Sequence, residues 1–200
     1  MTGSGEPPVR IVGEVRPFDP IPSVEVAVAA LEGLTAPYAL IGGIALDAWG
    51  MSRATKDIGF AVPVGTAEAA ASTIKVEGVQ TRPLRIGGVG LRGSVLDLHI
   101  DLIDRRFQYG ALVREAIEEA VGSRRRARIG RHEVPLVSLE FLLAMKMVSG
   151  EDKDDIDAQR ILQREELDYR LATEIIEKHL GHASRNRLDK WARSVGRPEL

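Results

Sequence analysis

Two adjacent glycines, Gly42 and Gly43, follow a short apolar run and lead straight into a helical pattern, and a little further on Asp57 opens a second apolar run. Glycines in such a turn let the backbone approach a ligand with no Cβ in the way. The N–H groups of the turn and of the first helical residues then face outward, an arrangement suited to phosphate oxygens. Carboxylates opposite such a turn suit a hard divalent cation such as Mg²⁺, which takes oxygen ligands. Strand alternation sends Ile58 and Phe60 into the core and Asp57 to the other face. In 96–103, Leu-Asp-Leu-His-Ile-Asp-Leu-Ile, the same period of two puts Asp97, His99 and Asp101 on one face. Asp97 lies about 13 Å behind Asp101 at about 3.3 Å per residue. Between the two apolar runs stand Arg53 and Thr55, whose guanidinium fork and hydroxyl either orient phosphate oxygens or serve as solvated loop groups.

The elements that must position these groups follow from periodicity and from turn residues. Residues 1–22 mix Pro, Gly and charge without a period, which predicts a partly ordered arm. Ser23 then caps a helix over 24–34, in which Val24, Val28 and Leu31 repeat at helical spacing. A strand at 38–41, the glycine turn, a helix at 44–49 ended by Gly50, and a strand at 57–62 stopped by Pro63 come next. A helix is expected at 66–76, strands at 82–86 and 89–92 around Gly87-Gly88, and a long strand at 95–103. After a helix at 111–121 and a hairpin of 126–129 with 133–137, the pattern is wholly helical, over 139–148, 154–162, 169–179 and around 188–195. The fold class expected is α+β: a mixed sheet flanked by helices, then a C-terminal helical bundle. The organisation is an arm at 1–22, a core at 23–137 and a helical region at 138–200.

Composition bounds the function. With 200 residues, 44% hydrophobic and 28% charged, the chain can bury a sizeable core. A formal net charge of −2 gives no global attraction to nucleic acid or acidic membranes. The absence of cysteine removes disulfides, thiolate ligands and thiol nucleophiles. No apolar run approaches the roughly 20 residues a membrane span needs, and the first residues lack a basic segment leading into an apolar one. A cytoplasmic protein with no membrane partner is expected.

The run Tyr38-Ala-Leu-Ile-Gly42-Gly43, followed by Arg53-Ala-Thr55-Lys-Asp57-Ile-Gly59-Phe60, resembles the signature of the nucleotidyltransferase (polymerase β-like) superfamily. The resemblance covers about residues 24–163 and departs at one position: the superfamily's acidic pair, Asp-x-Asp, reads Asp57-Ile58-Gly59. In the tail, 137–146 followed by Lys153-Asp154-Asp-Ile-Asp157 resembles the minimal nucleotidyltransferases, including the AbiEii-type toxins. The resemblance implies a nucleotidyltransferase-type fold that binds an NTP with Mg²⁺ and transfers a nucleotidyl group to a hydroxyl acceptor. It implies Asp57 and Asp101 as metal-holding and catalytic acids, because the superfamily's third acid stands just before a short apolar pair, as Asp101 does here. Gly42, Gly43, Arg53, Thr55 and Lys146 are the matching nucleotide-binding candidates. Implied acceptors are an RNA, a protein or a small molecule, and the toxin branch implies an antitoxin-like protein partner.

Gly59 alters that expectation. Without the second acid the cage loses one carboxylate, Mg²⁺ binding weakens, and transfer is reduced or lost while nucleotide binding persists. The alternative is a catalytically inactive nucleotide-binding or protein-interaction module. His99, beside two acids, is expected as a hydrogen-bond partner more than as a Mg²⁺ ligand. Lys146 shares a stripe with Leu139, Leu142 and Leu143 on a helix apolar almost all round, so its ammonium needs an anion: Asp154 or Asp157, or else phosphate. The basic run Arg124–Arg126 with Arg128 and Arg131 either grips RNA phosphates or is a solvated edge, and no interleaved aromatic residues support base stacking.

Overall fold

The computed structural model describes residues 18–149 and 151–197. The arm expected over 1–22 falls mostly outside these residues. Five strands form one mixed sheet: β1 (Ala39–Ile41), β2 (Ile58–Ala61), β3 (Val79–Pro83), β4 (Gly88–Gly93) and β5 (Leu98–Ile103), in the order β1-β2-β5-β4-β3. The β2–β5 pair is parallel and the other neighbours are antiparallel. Helices α1 (Ile21–Gly33), α2 (Gly42–Ala48), α3 (Thr66–Thr73) and α4 (Gly110–Gly122) alternate with the strands and cover the sheet. A hairpin of β6 (Arg126–Ile129) and β7 (His132–Pro135) joins the β1 edge through the Leu40–Leu136 bridge. The chain then becomes helical: α5 (Leu139–Met147), α6 (Asp152–Leu162), α7 (Tyr169–Leu180) and α8 (His182–Ser194).

A single buried cluster runs from Val24 on α1 to Ala192 on α8, so the helical region shares its core with the sheet. Every residue of α5 is buried, as its apolar circumference demands, and Ser138 caps it by accepting the Phe141 N–H. Glu140, one of its two charged side chains, accepts the Asp168 N–H at the start of α7.

Several local expectations change: the helix expected over 66–76 ends at Thr73, and Gly42 and Gly43, expected as a turn, are the first residues of α2. Ser23 does not cap a helix. It lies inside α1, whose N-terminal residues are Ile21 and Pro22, and its buried hydroxyl accepts the His99 N–H at 3.0 Å. The turn between β3 and β4 is centred on 84–87, with hydrogen bonds from Leu84 N to Gly88 O and from Gly87 N to Leu84 O, rather than on Gly87-Gly88. The long strand at 95–103 begins only at Leu98, because Asp97 takes a left-handed φ of 49° in a turn. Asp97 therefore stands off the strand, 3.2 Å from His99 Nε2.

Candidate nucleotide site

Asp57 precedes β2 and Asp101 lies on β5, and the parallel register sets Gly59 directly beside Asp101. Both carboxylates, Gly42, Gly43, Arg53 and Lys146 line one cavity of about 190 Å³ between the sheet, α4, α5 and the start of α6. Thr55 lies just behind it, where its Oγ1 is 3.2 Å from the Asp57 carbonyl and 3.3 Å from Asp57 Oδ1. Its place is thus as a support for the Asp57 carboxylate.

The two glycines serve different ends. Gly42 has φ +76° with open space where a Cβ would stand, so its need is conformational. A Cβ on Gly43 would lie 2.8 Å from Thr55 Oγ1 and 3.4 Å from Arg53 Nη2. Gly43 thereby lets the 53–55 loop close onto the turn and hold Asp57. Arg53 Nε in turn lies 2.9 Å from Asp157 Oδ2, which fastens this loop to α6.

Lys146 is the hinge of a buried ion network. Its ammonium lies 2.5 Å from Asp154 Oδ1 and 2.7 Å from Asp157 Oδ2, and Ser149 donates to Asp154. The anion that its buried position demands is thus supplied by α6. Burial acts to raise the Asp154 carboxyl, but hydrogen bonds from Lys146 and Ser149 with the Lys146 charge outweigh it, leaving the group below its ordinary value.

Asp101 goes the other way. Burial pushes its carboxyl up, the Asp57 charge adds to that, and Arg92 and Arg82 only partly oppose it. Arg92 Nη2 stands 2.7 Å from Asp101 Oδ1 in an ion pair, while Arg92 Nη1 donates to the carbonyls of Leu91 and Ile100, so the carboxylate keeps lone pairs to spare. A buried carboxylate oxygen with unused acceptor capacity is a fit donor for a hard cation. Among the described residues no group of three or more His, Asp or Glu side chains could hold a metal ion. Asp57 and Asp101 are the two carboxylates of the sheet that line this cavity, a donor type suited to a hard cation.

A second cavity of about 530 Å³ adjoins the first and shares Arg53 with it. Phe18, Pro20, Ile44, Asp47, Thr55, Lys56 and His99 are among its walls. His99 belongs here, stacked edge-on against Phe18, and not to the cavity of Asp57 and Asp101. Sequence reasoning missed this cavity, and it missed Arg105, which lines the first cavity. The only local signal for Arg105 is the charged triplet Asp104-Arg105-Arg106 that ends an apolar strand.

The basic run is largely spent in local contacts. Arg125 pairs with Glu119, Arg126 donates to carbonyls at the end of α4, and Arg131 stands 3.4 Å from Glu25. Among the described residues no helix is long and apolar enough to cross a membrane.

No protein-family model matches the chain, and no curated protein sequence matches it. Several solved structures resemble the fold, three of them as follows. One is the solution structure of the antibiotic-resistance factor ANT(2'')-Ia, with 21% identity, TM-score 0.47, and 87% of this chain and 91% of that one covered. Another is ANT(2'')-Ia in complex with adenylyl-2''-tobramycin, with 18% identity, TM-score 0.48, and 85% and 97% covered. The third is an antigenic nucleotidyltransferase-like protein from Paracoccidioides brasiliensis, with 16% identity, TM-score 0.46, and 90% and 96% covered.

Proposed function

We propose that the protein binds an NTP with one Mg²⁺ and transfers its nucleotidyl group to a hydroxyl acceptor at a rate reduced by Gly59. The observation that carries this reading is the convergence of Asp57, Asp101, Gly42, Gly43 and Arg53, from three separate segments, on one cavity. Convergent polar groups and a carboxyl shifted by burial in a concave site are the physical marks of a working site. Mg²⁺, when bound, supplies charge neutralisation of the phosphates and polarises the phosphorus under attack.

The chain's own residues supply the rest. Thr55 fixes Asp57, and Arg53, held by Asp157, lies beside the glycine turn to orient phosphate oxygens. Asp101, raised by burial, takes the proton of the attacking hydroxyl as a general base. The adjoining 530 Å³ cavity shares Arg53 and has room for a small-molecule acceptor. The local pairing of Arg125, Arg126 and Arg131 favours that acceptor over RNA.

Gly59 is where the superfamily's second acid would stand, on the same strand face as Asp57 and next to Asp101. Its loss leaves one carboxylate from each strand, enough for a single ion held jointly with phosphate and short of a second. This supports weakened transfer, and it equally favours a second reading, a nucleotide-binding pseudoenzyme of the minimal or AbiEii-like branch acting on a protein partner in the cytoplasm.

The test is Mg²⁺-dependent pyrophosphate release from each NTP with a panel of hydroxyl acceptors, for the natural chain and for Gly59→Asp. A Cβ at position 59 would lie 3.3 Å from Ile41 Cγ1, so a small shift of that side chain admits the carboxylate. A gain in turnover in Gly59→Asp supports the weakened-transferase reading. NTP binding without turnover in either form leaves the pseudoenzyme.

A further inference from the structure

Asp104 is buried at the end of β5, accepts the Arg106 N–H at 3.1 Å and pairs with the Arg106 guanidinium, which also stands 2.6 Å from Glu68 on α3. Residues 104 and 106 are thus fastened toward α3. Arg105, between them, takes a left-handed φ of 49° and lines the nucleotide cavity on the opposite side. Gly87 makes room for this arrangement. A Cβ there would lie 2.6 Å from Asp104 Oδ1 and 2.8 Å from Arg106 N. A non-glycine residue in this backbone region is held there by its surroundings, and such positions cluster at ligand clamps.

The other cations on this cavity wall already have anions. Lys146 is taken by Asp154 and Asp157, Arg53 by Asp157, and Lys153 by Glu151 at 2.8 Å. Among the described residues the Arg105 guanidinium has no hydrogen-bond or ion-pair partner, while its carbonyl accepts the Gln108 N–H at 3.1 Å. The carboxylate whose field reaches it, Asp154, is committed to Lys146 and Ser149, and burial holds the guanidinium below its ordinary value. A half-buried cation without an anion is costly, and its planar fork matches phosphate.

We propose that Arg105 holds a phosphoryl group of a polyphosphate ligand in this cavity. The proposal rests on the nucleotide reading of this cavity for the identity of the ligand, though not for the anion site itself. Arg105 is then a phosphate-binding residue and takes no part in the chemical step.

The experiment is calorimetric titration of the full chain, and of its Arg105→Gln and Arg105→Lys variants, with inorganic tripolyphosphate, ATP and adenosine in Mg²⁺. Unfolding midpoints are recorded in parallel to show that each variant folds. The expected result is a loss of about ten- to hundredfold in tripolyphosphate and ATP affinity in Arg105→Gln, the size of one charge-assisted contact, with partial retention in Arg105→Lys. Adenosine affinity is expected not to change. Tripolyphosphate affinity equal to that of the natural chain in Arg105→Gln overturns the proposal and leaves the nucleotide reading intact. An equal loss for adenosine overturns it in favour of base stacking. Tripolyphosphate binding that depends on Arg105, without ATP binding, upholds the anion site and sinks the nucleotide reading. Binding of no ligand to the natural chain sinks both.

Discussion

Replacing Lys146 with methionine separates a structural lysine from a phosphate-binding one. Methionine keeps most of the apolar stem in the α5 core and deletes the ammonium that stands 2.5 Å from Asp154 and 2.7 Å from Asp157. Asp157 retains Arg53 at 2.9 Å, whereas among the described residues Asp154 keeps only the Ser149 hydroxyl as a side-chain hydrogen-bond partner, with the Lys153 charge nearby. Removing one partner of a buried ion pair costs about 3–5 kcal/mol. At about 2–4 °C per kcal/mol for a chain of this size, that lowers the thermal midpoint by roughly 6–20 °C.

The effect has a pH signature. The Asp154 carboxyl lies below its ordinary value of 3.8 in the fold, so its contribution is present above that value and is lost as the pH falls through the folded-state value. The gap in stability between the natural chain and Lys146→Met should therefore narrow in acid. Adding Asp154→Asn to Lys146→Met should recover part of the loss, since the pair is coupled. The assay is thermal and urea unfolding by circular dichroism between neutral pH and pH 3. An unchanged midpoint at neutral pH, with NTP affinity falling instead, would refute the reasoning and make Lys146 a phosphate ligand.

Gly43→Ala should cost about 1–3 kcal/mol, because its Cβ would stand 2.8 Å from Thr55 Oγ1, and it should also weaken Mg²⁺-NTP binding by displacing the support of Asp57. Gly42→Ala has free space and should cost only about 1–2 kcal/mol, through its positive φ, so unfolding and titration of the two variants together test this division of roles. Ser23→Ala removes the acceptor of the His99 N–H and should destabilise by about 1–3 kcal/mol in urea unfolding, against near-neutrality for a solvated hydroxyl. Asp101 has a raised carboxyl, so its ionisation costs stability as the pH rises from the ordinary aspartate value through the folded one. Mg²⁺-dependent binding needs the ionised form, so it should appear only above that raised value. Arg92→Met, which removes an opposing charge, should move the midpoint of a binding-versus-pH titration further up.

The alternation of short apolar runs with glycine turns and helical patterns made the sheet and its helices legible, because each signal is local. The demand of Lys146 for an anion was legible for the same reason: a helix apolar on all sides has to be buried. Ser23 was misread because a cap and a tertiary acceptor call for the same hydroxyl, and its partner, His99, is 76 positions away. The start of β5 was misread because the left-handed turn at Asp97 carries no glycine or proline to mark it. Arg105 was missed because its orientation is set by Asp104, Arg106 and Glu68, and the last of these comes from α3. The larger cavity was invisible because its walls, among them Phe18, Ile44, Thr55 and His99, come from four segments.

Calorimetric titration with each of the four NTPs, with and without Mg²⁺, on the natural chain and on Gly59→Asp, tests most directly whether this cavity is a nucleotide site weakened at one ligand. The account predicts Mg²⁺-dependent binding of at least one NTP to the natural chain and tighter binding to Gly59→Asp. Absence of binding to both forms, with both folded, would contradict it.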